Sequence, residues 1–217
     1  MLLPPRQSYS PTERFSDMVV HVLGVFTVLI AVPVLIALTV RFGAGASAIA
    51  AVSVYGATLV AMILFSALYN TIGRHRWTGV LRRLDHSAIY AKIAGTYTPL
   101  TLIPGTHGGY LLAGIWGAAL AGMGLKVISP SRLRWLALAL YLGMGWAGLA
   151  AGGSFLATLS APVVTLILIG GLLYTVGVVF YLFERLPYHY TIWHVFVLAA
   201  SMVFYAAITL HMMKMTA

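Results

Sequence analysis

The sequence predicts an all-α membrane protein: a bundle of seven transmembrane helices with a cytoplasmic N-terminus and an outside C-terminus. Three observations carry this expectation. Only 8% of the 217 residues are charged and 61% are hydrophobic, where a soluble domain carries about 25% charge; mean hydropathy is +0.95. Seven apolar stretches are long enough for a bilayer core of about 30 Å, which takes roughly 20 helical residues. The basic residues collect in the breaks that would share one side. There is no cysteine, which excludes disulfides, thiolate metal ligands and thiol nucleophiles.

Residues 1–17 (MLLPPRQSYSPTERFSD) are polar and proline-broken. They lack the apolar core and small-residue cleavage site of a signal peptide, so they are expected to form a cytoplasmic lead-in. Residues 18–213 are expected to form a single seven-helix transmembrane domain. The stretch 18–40 ends at Arg41 to Gly45, 46–72 at the basic run 74–83, and 85–104 at Pro104 to Gly108. The stretch 109–128 ends at Ser129 to Ser131, and 133–151, short and glycine-rich, at Gly152 to Ser154. The stretch 157–183 ends at Glu184 to Pro187, and 190–213 is the last. Gly114, Gly117, Gly122, Gly143, Gly145, Gly170 and Gly171 would let helices approach closely.

Thirteen Lys/Arg face four Asp/Glu. With seven spans, Arg6, Arg14, Arg74, Arg76, Arg82, Arg83, Lys126, Arg132, Arg134 and Arg185 fall on one side, and only Arg41 and Lys214 on the other. That asymmetry sets the orientation. It also argues against nucleic acid as a partner, because the charges sit in four short segments beside helix ends, where they meet anionic lipid headgroups.

The polar side chains gather at one depth. Glu13, Asp17 and His21 are spaced i, i+4, i+8 at the entrance to the first stretch. Ser66 and Asn70 lie near the end of the second, Asp85 and His86 open the third, and His189 and His194 flank the start of the last. Ionisable groups in a bilayer are costly and mark candidate sites. Plainer readings compete: Glu13 and Asp17 as interfacial carboxylates solvated or paired with Arg14, Asp85 as a helix-start carboxylate favoured by the dipole, His211 as interfacial, and His75 and His107 as loop residues. Lys92, two turns beyond Asp85 on the same face, is too deep to snorkel; it is expected to face an internal polar cavity, the alternative being a carboxylate partner. Histidine and aspartate suit a catalytic zinc with one open position. Spacing alone supports this weakly, because residues five apart, such as His189 and His194, lie about 140° apart on a helix.

The segment RRLDHSAIYAKIAGTYTP (82–99), with TIWHVFVLAAS (191–201), resembles the signature blocks of the bacterial hemolysin III family, in the superfamily of the progestin and adipoQ receptors. Glu13, Asp17 and His21, followed by Leu23 and Gly24, resemble the family's Glu–Asn–His opening. Ser66-Ala-Leu-Tyr69-Asn70 resembles its Ser-x-x-Tyr-His block. The resemblance implies a bundle in the bacterial cytoplasmic (inner) membrane, with zinc near the cytoplasmic face held by three histidines and an aspartate alongside through water. Its better-studied relatives look like ceramidase-type hydrolases.

Carried over residue by residue, the resemblance gives Asp85 as the aspartate, His194 as the second histidine of the last helix and Ser66 as the serine of the second. Two implied ligand positions hold Asn70 and Tyr190, and a further histidine position holds Phe204. His189, brought inward by a π-bulge, or His21 could substitute. The enzyme reading is zinc-dependent hydrolysis of a lipid amide or ester. Asp85 would orient or deprotonate water, Ser66 would stabilise the oxyanion, and His194, Asp85 and His189 would hold the metal. The missing ligands favour a second reading, a member with an incomplete zinc site that binds lipid or senses the membrane, with Asp85 and His194 tying two helices. A third, the cytolysin or pore, rests on the family name alone. His21, Asn70, Tyr190 and Lys92 complete the expected pocket.

Overall fold

A backbone in hydrocarbon must satisfy its own N–H and C=O groups, and this chain does so with helices. A computed structural model describes residues 9–72, 76–101, 108–128, 133–151 and 153–215, so Arg6, Arg74, His75, His107 and Arg132 lie outside the described residues. Among the described residues there are seven long helices and one of a single turn. They are α1 (Pro11–Arg41), α2 (Ala46–Ile72), α3 (Thr78–Thr101), α4 (Gly108–Ile128), α5 (Arg134–Ala150), the short α6 (Gly153–Leu156), α7 (Ala161–Leu182) and α8 (His189–Met215).

Five of these, α1, α2, α4, α7 and α8, are long and apolar enough to cross a membrane. Of the other two long helices, α5 has 17 residues, and α3 carries Arg82, Arg83, Asp85 and Lys92.

Two helices start seven residues earlier than hydropathy suggests, α1 at Pro11 rather than 18 and α3 at Thr78 rather than 85. The reason is the same in both: the first two turns are polar, and hydropathy registers oil rather than helix. At α1 the start is chemically explicit. The Glu13 N–H donates to Ser10 Oγ at 3.2 Å, the Ser10 N–H donates to Glu13 Oε2 at 2.7 Å, and Pro11 follows the cap. Asp85 is therefore two turns inside α3 and buried, not a helix-start carboxylate.

The central element is α3, which packs against α2, α4, α5 and α8. The first and last helices close the ring, since α1 lies against both α2 and α8, and α8 against α7. Large apolar side chains such as Phe26, Ile30, Leu120, Leu172 and Val179 point outward, as lipid-facing surfaces require. One interior cluster gathers Val28, Leu35, Tyr55, Leu59, Val163 and Ile208; a second gathers Tyr90, Ala94, Ile115, Ala119 and Met144 around α3, α4 and α5.

Lipid tails are as apolar as leucine, so helix association depends on close packing and interhelical hydrogen bonds. Both are present. Gly95 lies on Thr58 and Gly122 on the Tyr90 ring so tightly that a Cβ at either position would collide. Gly170 and Gly171 likewise meet Phe204 and Trp146, whereas a Cβ at Gly114, Gly117, Gly143 or Gly145 would meet nothing among the described residues. Tyr205 donates to the Ala31 carbonyl at 2.8 Å, joining α8 to α1, and Tyr97 donates to the Met144 carbonyl at 3.0 Å, joining α3 to α5.

Candidate functional site

One end of the bundle collects the polar residues. The Tyr188 N–H donates to Glu13 Oε1 at 3.0 Å, Arg83 Nε to the Val127 carbonyl at 3.0 Å, and Arg134 Nη1 to Glu184 Oε1 at 2.8 Å. These contacts put the start of α1, α3, α5 and α8 beside the end of α4 and α7. Glu13 is thus half-buried, engaged in a cap and in the α1–α8 junction, and not simply solvated.

Just inside this end, His194 donates through Nδ1 to Asp17 Oδ1 at 2.6 Å, and Asp17 Oδ2 lies 3.5 Å from His21 Nδ1. His21 Nδ1 donates to the Asp17 carbonyl at 2.8 Å. With that nitrogen protonated, Nε2 of a neutral imidazole is the acceptor, and the Ser66 hydroxyl donates to it at 3.1 Å. Asn70 Nδ2 donates back to the Ser66 carbonyl at 2.9 Å, and the Tyr190 ring lies 4.7 Å from that of His194. Asp17, read from the sequence as interfacial, is therefore a partner of two histidines, because α1 and α8 are neighbours and its helix has already begun.

Asp17, His21 and His194 each offer one donor atom, and these atoms all lie within 4.8 Å of one another. Tetrahedral zinc with bonds of about 2.0–2.2 Å separates its ligand atoms by about 3.3–3.6 Å. The Asp17–His194 pair at 2.6 Å and the 4.8 Å limit bracket that spacing, so the donor set fits a divalent metal after small side-chain shifts. Two imidazoles and one carboxylate would leave the fourth position open.

The other expected ligands stand elsewhere. His189 opens a regular α-helix with no π-bulge, and its Nε2 meets the Tyr9 hydroxyl at 3.2 Å. Asp85 Oδ2 accepts from His86 Nδ1 at 2.9 Å, so the tie to His194 comes from α1, not α3. Asn70 and Tyr190 border the donor group without belonging to it.

A cavity of about 640 Å³ runs beside this cluster. His21, Ser66, Asp85, His189, Tyr190 and His194 all line it. Along α3 its wall is Arg82, Asp85, Ile89, Lys92, Thr96 and Leu100, a single face about 27 Å long at 1.5 Å per residue. Lys92, 3% exposed, does face this cavity. Its Nζ lies 4.6 Å from the Tyr174 ring centroid and 4.7 Å from that of Phe204, so aromatic faces solvate the ammonium. His211, near the end of α8, is buried, with Nε2 lacking a hydrogen-bond partner among the described residues.

A family model described as Haemolysin-III related matches residues 10–205. A Bacillus subtilis (strain 168) protein called "Hemolysin-3 homolog" is 35% identical over 204 residues, covering 93% of this chain and 95% of that protein. A Bacillus cereus protein called "Hemolysin-3" is 38% identical over 191 residues, 87% of each chain. The match takes in every residue of the donor group.

Proposed function

The chain belongs to the haemolysin-III-related family of multi-pass membrane proteins, and from that premise we propose that it hydrolyses an ester or amide bond of a membrane lipid in the cavity beside Asp17, His21 and His194. The observation that carries this reading is the convergence of three donor atoms within 4.8 Å beside a cavity large enough for part of an acyl lipid. A zinc ion on these residues would supply a Lewis acid and a water of lowered pKa. The remaining residues act directly. Ser66, which Asn70 holds, turns its hydroxyl from His21 to a developing oxyanion. Asp85, paired with His86, accepts and returns a proton at the wall. The apolar wall beyond Thr96 holds the chain and excludes water.

We read the chain as a seven-span bundle in the bacterial cytoplasmic membrane, with α3 spanning among the other helices and α5 spanning at their edge. The basic end faces the cytoplasm by the asymmetry of Lys and Arg. A C-terminal alkaline phosphatase fusion should be active and a C-terminal green fluorescent protein fusion dark; the reverse result overturns the orientation. For the activity, detergent-purified protein from metal-replete cells should carry near-stoichiometric zinc and release fatty acid from an N-acyl or ester lipid. Metal-free protein with no release after zinc addition would sink the enzyme reading.

A second reading is favoured by one specific observation: the cluster is already closed by its own hydrogen bonds, from His194 to Asp17 and from Ser66 to His21. In that case the same residues are a structural tie in a lipid-binding protein, and Asp17→Asn lowers stability with no change in metal content.

A further inference from the structure

Three basic residues line the cavity at the end where α1 begins: Arg82 on α3, Lys126 on α4 and Arg134 on α5. Arg134 is accounted for by its pair with Glu184 at 2.8 Å. Arg82 and Lys126 are not. Lys126 is 4% exposed, its side chain lines the cavity, and it has no ion pair among the described residues. Arg82 has a buried Nε–H with no acceptor among the described residues. The contact of Arg83 Nε with the Val127 carbonyl places the two on adjoining turns of α3 and α4.

The carboxylates of the same cavity are already engaged, Asp85 with His86 and Glu184 with Arg134. The last turn of α4 favours a cation at Lys126 through its dipole, but a helix end supplies only a fraction of a charge. Two like charges that line one wall repel each other, and an anion between them relieves that repulsion. A guanidinium fork beside a point-charge ammonium is the chemistry that holds phosphate oxygens.

We infer that Arg82 and Lys126 form a phosphate-binding subsite at the mouth of the cavity. Its ligand is a phosphate-bearing molecule, and the apolar wall running from Ile89 to Leu100 suits the acyl chain of an anionic phospholipid whose headgroup phosphate rests between the two side chains. The subsite is a binding element and does not require the Asp17 cluster to hold metal or to hydrolyse anything.

The test is thermal unfolding of the full chain in non-ionic detergent with four additives: dioleoyl phosphatidylglycerol, dioleoylglycerol with the same chains and no phosphate, inorganic phosphate, and glycerol phosphate. Phosphatidylglycerol in excess should raise Tm by about 5 °C and dioleoylglycerol should not. Lys126→Met should keep or raise the Tm of the lipid-free protein, because it removes a charge with no ion pair among the described residues, and should abolish the phospholipid shift. Arg82→Gln should abolish it as well, which keeps the test decisive if one variant folds poorly. Arg76→Gln, an exposed charge at the same end, should leave it intact. An equal shift from inorganic or glycerol phosphate, lost in the same two variants, supports the subsite with a soluble phosphate as its ligand. No shift with any phosphate compound overturns the inference, as does a shift that survives both Lys126→Met and Arg82→Gln.

Discussion

Removing the Asp17 carboxylate is the most informative perturbation of the cluster. It accepts from His194 at 2.6 Å and lies 3.5 Å from His21 Nδ1, with side-chain exposures of 13%, 8% and 4% for Asp17, His194 and His21. A hydrogen bond to a charged group contributes about 1.5–3 kcal/mol, and stranding a buried donor costs about 1–3 kcal/mol. These overlap, and the contact at 3.5 Å is too long to count fully, so Asp17→Ala should cost about 2–4 kcal/mol. At about 2–4 °C per kcal/mol for a chain of this size, Tm should fall by roughly 4–16 °C, read by tryptophan fluorescence in non-ionic detergent. Asp85→Ala is the comparison. Asp85 bonds the adjacent residue of its own helix and so ties no helices together, and its removal should cost only about 1 kcal/mol. A double-mutant cycle of Asp17→Ala with His194→Ala should give a coupling of at least about 1 kcal/mol. A Tm loss under about 2 °C, or additive effects in the cycle, would refute the tie between α1 and α8.

Asn70→His together with Tyr190→His should raise zinc affinity by about 10-fold or more, since both positions border the donor group; unchanged affinity in a competition titration with a fluorescent chelator would show that the pocket is not organised around a metal. Gly95→Val should destabilise the protein by about 2 kcal/mol or more, because its new side chain meets Thr58 on α2, and a variant as stable as the parent would contradict that packing. Glu184→Gln should cost less than about 1 kcal/mol, since the Arg134–Glu184 pair is well exposed, and the loss should shrink in high salt.

Helix existence was legible almost throughout, because a run of some twenty apolar residues has few other solutions. The stretch 46–72 coincides with α2, and the others agree within a few residues except at polar starts. The cue for the early start of α1 was nonetheless present: Ser10-Pro11-Thr12-Glu13 is a capping box with proline behind the cap. Reading it would have made Asp17 a helical residue one turn before His21 and drawn attention to the pair. The partnership with His194 was not legible, since 177 residues separate the two and only ring closure brings α8 against α1. For Asp85 a motif gave prominence, and the fold adds its pairing with the adjacent His86. The environment of Lys92 depended on Tyr174 and Phe204 from two other helices, which local spacing cannot reveal.

The closure of the ring by α1 and α8 has a consequence in time. A chain made from its N-terminus delivers Asp17 and His21 to the membrane first and His194 with the final helix. No product that stops before α8 therefore carries the complete cluster, and a nascent chain holds a carboxylate and an imidazole in waiting until α8 has been made. The latch at Glu13, Tyr188 and Thr191 is assembled at the same moment. Docking of α8 and assembly of the donor group are thus one event, so a product that stops before α8 is left open along the seam where α8 should lie and lacks His194.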